Sequence, residues 1–262
     1  MRELLYKKGE KYMKYNMLKK MVICSTVCLL FTTALSSCDN KVERITDINQ
    51  ITSDKVSNQD EWKACFDTSK YTNFTMLADG NTLGTITKVE YKYTTDKVYY
   101  SSIITQPNNL TSSSSASTTT STTENYFSKV SDTKWNGYSV TTINGTTTDQ
   151  NFEIDPTNET YKEFVDGSYA TSSISNIPSQ ASFDKVTYSD EKKGYVYQTT
   201  MSIMDGVSAT GQVVIKIKNG MCVGSSSYVD YSILGISYKM EANMVFYDIG
   251  STSITLPESM TK

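Results

Sequence analysis

The stretch ISYKMEANMVFYDIG, residues 236 to 250, puts Ile236, Tyr238, Met240, Ala242, Met244 and Phe246 in one phase of a two-residue repeat and Lys239, Glu241 and Asn243 in the other. Successive side chains of an extended chain point to opposite faces, so this run predicts a strand with one apolar and one polar face. The same alternation recurs upstream. In TITKVEYKY, Thr85 to Tyr93, the residues Val89, Tyr91 and Tyr93 oppose Lys88, Glu90 and Lys92, and the turn at Thr95 to Lys97 sends the chain back through VYYSSII as a hairpin. YVYQTTMSI, Tyr195 to Ile203, keeps Tyr197, Met201 and Ile203 in phase, and QVVIKIK, Gln212 to Lys218, does the same with Val213, Ile215 and Ile217. Asn219-Gly220 is a strong hairpin turn into MCVGSSSYVDYS. Strands joined this way, each with one apolar face, predict an antiparallel meander.

Helical spacing is confined to short pieces. In NQDEWKACFD, Asn58 suits an N-cap with Glu61 at the third helical position, and Trp62, Cys65 and Phe66 recur as one buried face. Tyr161, Phe164 and Val165 fit a second helical face before Pro178, which is expected to stop its continuation, so a helical or irregular piece crosses the sheet there. The tract LTSSSSASTTTSTT, Leu110 to Thr123, offers almost no apolar side chain to bury and is expected to be a mobile loop.

The N-terminal region has a different texture. Lys19 and Lys20 precede a segment without charge from Met21 to Ser37, the three-part form of a secretory leader. Met21 to Leu35 is only fifteen residues, short of the roughly twenty that a membrane-spanning helix needs. The following Leu35-Ser36-Ser37-Cys38 resembles the bacterial lipobox, in which the cysteine thiol receives a diacylglycerol and becomes the first mature residue. That resemblance assigns 1–37 to a leader, Cys38 to lipid attachment, and the polar stretch 38–57 to a flexible tether. A single domain then covers 58–258, with the Ser/Thr loop at 110–123. Met13 or Met17 would each give a more compact leader, which leaves residues 1–16 outside the translated chain on that reading.

Cleavage before Cys38 removes seven of the 25 basic and two of the 28 acidic side chains, leaving 18 against 26 and a net charge of −8. No basic stripe for nucleic acid is available in that composition. A chain of this size can bury a sufficient core without a disulfide framework. Cys65 and Cys222 are the other cysteines after Cys38, and a bridge between them or two buried thiols are both open from sequence.

The chain contains no histidine. That removes Ser-His and Cys-His pairs, imidazole ligands and the usual neutral-pH general base, and argues against an enzyme. S-x-x-K occurs four times, at Ser131-Lys134, Ser182-Lys185, Ser189-Lys192 and Ser259-Lys262, without the companion motifs of a Ser-Lys hydrolase. Glu153, Asp155 and Glu159 lack the glycine and terminal glutamate of a calcium loop and read as a solvated turn, with no metal expected. The nineteen tyrosines are the remaining feature, several of them in strands beside methionines. Such side chains fill sheet interiors without any ligand. The sharper reading is that a curved sheet exposes part of this face as a pocket lined by Val89, Tyr91, Tyr93, Tyr197, Met201, Tyr238, Met240 and Met244.

Three phrases carry a resemblance to a known family: DEWKACFDTSKYTNFTM at 60–76, SFDKVTYSDEKKGYVYQTTM at 182–201 and VFYDIGSTSITLPE at 245–258. Over about residues 58 to 258 the chain resembles bacterial lipoprotein carriers of the LolA/LppX-like family. The Ser/Thr tract at 110–123 departs from a compact carrier. The resemblance implies an α+β fold: a curved, mainly antiparallel sheet, or half-barrel, with one or two short helices packed on its open side. It further implies binding of a lipid or other hydrophobic molecule at the extracytoplasmic face of the cell membrane, with no catalysis and no cofactor. The rival expectation is an envelope interaction or structural module with a solid core, its protein partners unspecified.

Overall fold

Both halves of the chain meet on the strand formed by the alternating run near the C-terminus. The computed structural model describes residues 46–82, 84–107, 118–204, 207–233 and 236–260, and the side chains of 201–204, 207–208, 232–233 and 236–238 lie outside that description. Six strands leave the centre as a meander: β1 (Phe74–Thr82), β2 (Thr85–Tyr93), β3 (Lys97–Pro107), β4 (Thr118–Ser131), β5 (Lys134–Ile143) and β6 (Thr146–Ile154). A helical crossover follows, and a second meander returns: β7 (Thr187–Ser189), β8 (Gly194–Met204), β9 (Val207–Lys218), β10 (Met221–Ile233) and β11 (Ile236–Tyr247). β11 pairs with β1, giving one open sheet of eleven strands in the order β6-β5-β4-β3-β2-β1-β11-β10-β9-β8-β7. Every neighbouring pair is antiparallel. The fold is the α+β curved antiparallel sheet with short helices that the sequence predicts, the sheet not closing on itself.

Local chemistry accounts for the hairpins. Asn219 and Gly220 both have positive φ, 52° and 68°, the geometry that matches strand twist in a two-residue turn. Asn144 and Gly145, at 49° and 84°, make the same turn between β5 and β6. The first helix, α1 (Gln59–Ala64), begins as its sequence dictates: the Asn58 side chain accepts from the Asp60 and Glu61 amides, and Trp62, Cys65 and Phe66 are buried. The crossover holds three more short helices, α2 (Lys162–Val165), α3 (Ser168–Ser175) and α4 (Ile177–Gln180), so the described chain has four where one or two are expected. Pro178 does not end this segment. It sits in the first turn of α4, where its missing N–H costs nothing.

Two expectations are corrected. Thr118 to Thr123 are not loop but the start of β4, paired with β3 throughout and with β5 from Ser121 on, as in Thr122 with Ile103 and Thr123 with Thr141. Threonine is β-branched, and its preference for the pleated surface outweighs the tract's lack of apolar side chains. The part of that tract from 110 to 117 lies outside the described residues, as do 38–45.

The second correction concerns residues 46–57, expected as a tether and instead docked on the sheet. Ile48 and Ile51 are buried against Val245, opposite the helix-covered face. The Asp54 amide donates to the Ile217 carbonyl at 2.8 Å, and the Ser53 amide to the Lys193 carbonyl at 2.9 Å. Lys216, 2% exposed, donates from Nζ to the carbonyls of Ile51, Lys192 and Lys193. Asp54 closes the strap, accepting from Lys218 Nζ at 2.6 Å and from the Asn219 amide, which together hold its carboxyl below the usual carboxylate range. Two isoleucines three apart are too short a signal to read as an element, but they suffice to dock a strap when main-chain partners are ready.

Lys216→Met keeps the stem of the side chain and leaves the Ile51 and Lys192 carbonyls without this donor, while the Lys193 carbonyl keeps the Ser53 amide. Urea unfolding should show a loss of about 1–3 kcal/mol. Stability equal to the parent would show that the strap is not held by this lysine.

Candidate functional site

Directly paired residues of antiparallel strands lie on the same face, so the register sorts the whole sheet. Starting from Ala78, the partners are Val89, Ser102, Thr123, Thr141 and Thr148 toward one edge and Met244, Ser225, Ile215, Tyr195 and Tyr188 toward the other. This is the face on which the helices pack, the inner face of the curve. Among the described inner positions of all eleven strands, the only Asp, Glu, Lys or Arg is Lys129, whose ammonium turns to Asp132 at 2.6 Å. The sheet's other charges, such as Lys88, Glu90, Glu124, Asp149, Lys239 and Glu241, fall on the outer face.

At one end of the strands the inner face is covered. The Tyr91 hydroxyl donates to the Phe164 carbonyl at 2.5 Å, and its ring lies 5.4 Å from that of Tyr169. Phe164 and Tyr169 stack at 4.5 Å, and Tyr100 meets both edge-on at 5.4 and 5.7 Å. Gly167, with φ +81°, starts α3 directly over Tyr93; a Cβ there would stand 3.1 Å from the ring. On the same face toward β8, Trp62 of α1 donates from Nε1 to the Ala181 carbonyl at 2.9 Å and packs against Tyr195 at 5.0 Å. Burial pushes the phenols of Tyr91 and Tyr169 well above their ordinary values, so they act as neutral hydrogen-bonding groups.

Beyond the helices the inner face changes character. Toward β8–β11, Ala209, Val229, Tyr231 and Met240 form a second buried apolar cluster separate from the main core. Between the two clusters the register places the small residues Gly80, Ala242, Ser225 and Ser227. Toward β2–β5 the adjoining rows carry Thr87, Ser102 and Thr123, while Asn125 and Ser139 continue the row of Tyr91 and Tyr100 that the crossover covers.

The residues singled out from sequence are thus divided. Val89, Tyr91 and Tyr197 belong to the main core, and Tyr93 and Met244 pack against it, Met244 also accepting a 3.4 Å contact from the Ser173 hydroxyl of α3. Met240 belongs to the second cluster. Met201 and Tyr238 occupy inner register positions, opposite Ala209 and Tyr231, with their side chains outside the described set. Cys38 lies outside the described residues. The polar inner residues of β2–β5 went unread because VYYSSII and the Ser/Thr tract have no apolar contrast to fix their phase.

Groups that could carry chemistry are otherwise engaged. Cys65 and Cys222 are buried free thiols, the Cys222 amide donating to the Cys65 carbonyl at 2.8 Å. Burial pushes the Cys222 thiol up to about 12 and raises Cys65 as well, which suppresses the reactive thiolate. Glu153 pairs with Lys134 at 2.6 Å, and Asp155 caps its own turn through the Thr157 amide. No family model, curated protein or solved structure matches this chain.

Tyr91→Phe removes the bond that ties the crossover to β2 and leaves the Phe164 carbonyl without its donor. Chemical denaturation should report a loss of about 1 kcal/mol with the fold retained. An unchanged midpoint would mean that aromatic packing alone holds the crossover down.

Proposed function

We propose that the protein is a lipid-anchored cell-envelope protein, held through Cys38 at the extracytoplasmic face of the membrane, whose inner sheet face shelters a lipid or other hydrophobic ligand without catalysis. The observation that carries this reading is the segregation of charge. Eleven strands keep all but one charged side chain off the inner described positions, while helices cover only one end of that face. An uncharged concave surface with small residues at its floor suits an apolar guest, since ligand sites are mostly apolar and few polar groups fix orientation. The lipobox resemblance at Cys38 and the likeness to the LolA/LppX-like carriers point the same way, and a diacylated residue anchors firmly by itself.

A second reading, an interaction module with a solid interior, is favoured by the covered end, where Tyr91, Phe164 and Tyr169 fill the space between sheet and helices. The two readings separate on the uncovered end alone. The chain from Asp39 onward, expressed without its leader in bacteria and purified free of detergent, should carry a discrete extractable lipid seen as added mass under native conditions. A bare polypeptide mass that stays bare after incubation with lipid vesicles would reject ligand binding in favour of the solid module.

A further inference from the structure

We infer that β6 is an interface at which two copies of this chain pair edge to edge, antiparallel about a two-fold axis at Gln150, so that one sheet continues into the other. β6 ends the sheet, and no described main-chain group bonds to its free edge. Thr146 to Asn151 and Glu153 are all exposed. An open strand edge is a template for another chain, which proteins ordinarily blunt with a short strand, a bulge, a proline or a lysine. The opposite edge is blunted in this way: β7 has three residues, and Lys55 stands 4.6 Å over the ring of Tyr188. β6 has nine residues, TTTDQNFEI, with no proline or lysine, and its register with β5 runs unbroken from Thr146 to Ile154. Its two carboxylates are drawn back toward β5, Glu153 by Lys134 at 2.6 Å and Asp149 by the Tyr138 hydroxyl at 3.1 Å.

The hairpin fixes which groups face outward. Ile143 and Thr146 flank the two-residue turn and exchange both main-chain bonds, so the Asn144 amide points the other way, to the Thr120 carbonyl at 3.2 Å. Alternation then aims the amides and carbonyls of Thr146, Thr148, Gln150, Phe152 and Ile154 at β5, and those of Thr147, Asp149, Asn151 and Glu153 at the free edge. A second copy must set these outward residues opposite one another. An axis at Asp149 puts two carboxylates face to face, and an axis at Asn151 sets Asp149 against Glu153; axes further out overlap only part of the strand. The axis at Gln150 avoids both clashes. Asp149 then meets Asn151 of the second copy and Thr147 meets Glu153, while on the inner face Thr148 meets Phe152, a favourable β-branched and aromatic pair. The strand is thus complementary to itself in one long register, as an isologous contact requires.

Single cysteines in the full chain, expressed in bacterial membranes and oxidised there with copper phenanthroline, test the pairing on non-reducing gels read against the parent chain. Gln150→Cys should give a covalent dimer, because residues directly opposite in a pair without hydrogen bonds bring their Cα atoms to about 4.5 Å, within disulfide reach. Phe152→Cys, which faces Thr148 of the second copy, should give roughly tenfold less. Adding Asn151→Pro to Gln150→Cys should abolish the dimer, since the lost amide faces the free edge and the bonds to β5 remain. Adding Asn151→Asp instead leaves the backbone alone, sets carboxylates opposite each other at both symmetry-related positions and should cut the dimer severalfold, a result that does not depend on the proline chain folding. Equal cross-linking at positions 150 and 152, or none at 150 above the parent, overturns the pairing.

Discussion

The pairing of β1 with β11 is the contact on which the rest of the sheet depends. It joins the first strand of one meander to the last of the other, with Met76 opposite Phe246 and Ala78 opposite Met244. A slip of one residue there would turn the whole apolar set of one half to the outside, because side chains alternate strictly along a strand. The aromatic cluster resists such a slip: Phe74 lies 5.5 Å from Phe246, and Tyr71 lies 5.3 Å from it on the other side. Both halves therefore share one inner face, whose end the crossover and α1 cover together.

The terminal segments take the other face. The strap with Ile48 and Ile51 lies over β10 and β11, and the C-terminal segment binds through Thr252 to Thr75 and reaches β5 with its last helical turn, Glu258–Met260. The crossover therefore packs on the inner face, and the strap and the Thr252 segment on the outer one. The strap also brings the ordered fold to within eight residues of Cys38, so any anchor there would hold the domain within about 30 Å of the bilayer.

Much of this was legible in the sequence where two signals coincide. Alternation with charge contrast gave β2, β8, β9 and β11, and Asn219-Gly220 fixed a turn, because Lys88, Glu90, Lys239 and Glu241 mark the outer phase plainly. Asn58 and Glu61 marked the start of α1 by their capping chemistry. β4, β5 and β6 were hidden, since their threonines and serines occupy both faces and carry no periodic contrast, and their pairing comes from neighbours far along the chain. The candidate site shares that division. Its apolar members stood out as a stripe, while Thr87, Ser102 and Asn125 gain meaning only from the register that aligns four strands. Which tyrosines are sealed was likewise invisible, because Tyr91 is covered by a crossover with little helical periodicity of its own.

The claim at the centre is that the inner face holds a guest beyond the reach of the helices. A crystal structure of the protein purified without detergent tests it most directly. Elongated density along the floor formed by Gly80, Ser227 and Ala242 is the expected result. Side chains of the protein itself packed across that floor, with Met240 joined continuously to the core at Tyr91, would contradict it.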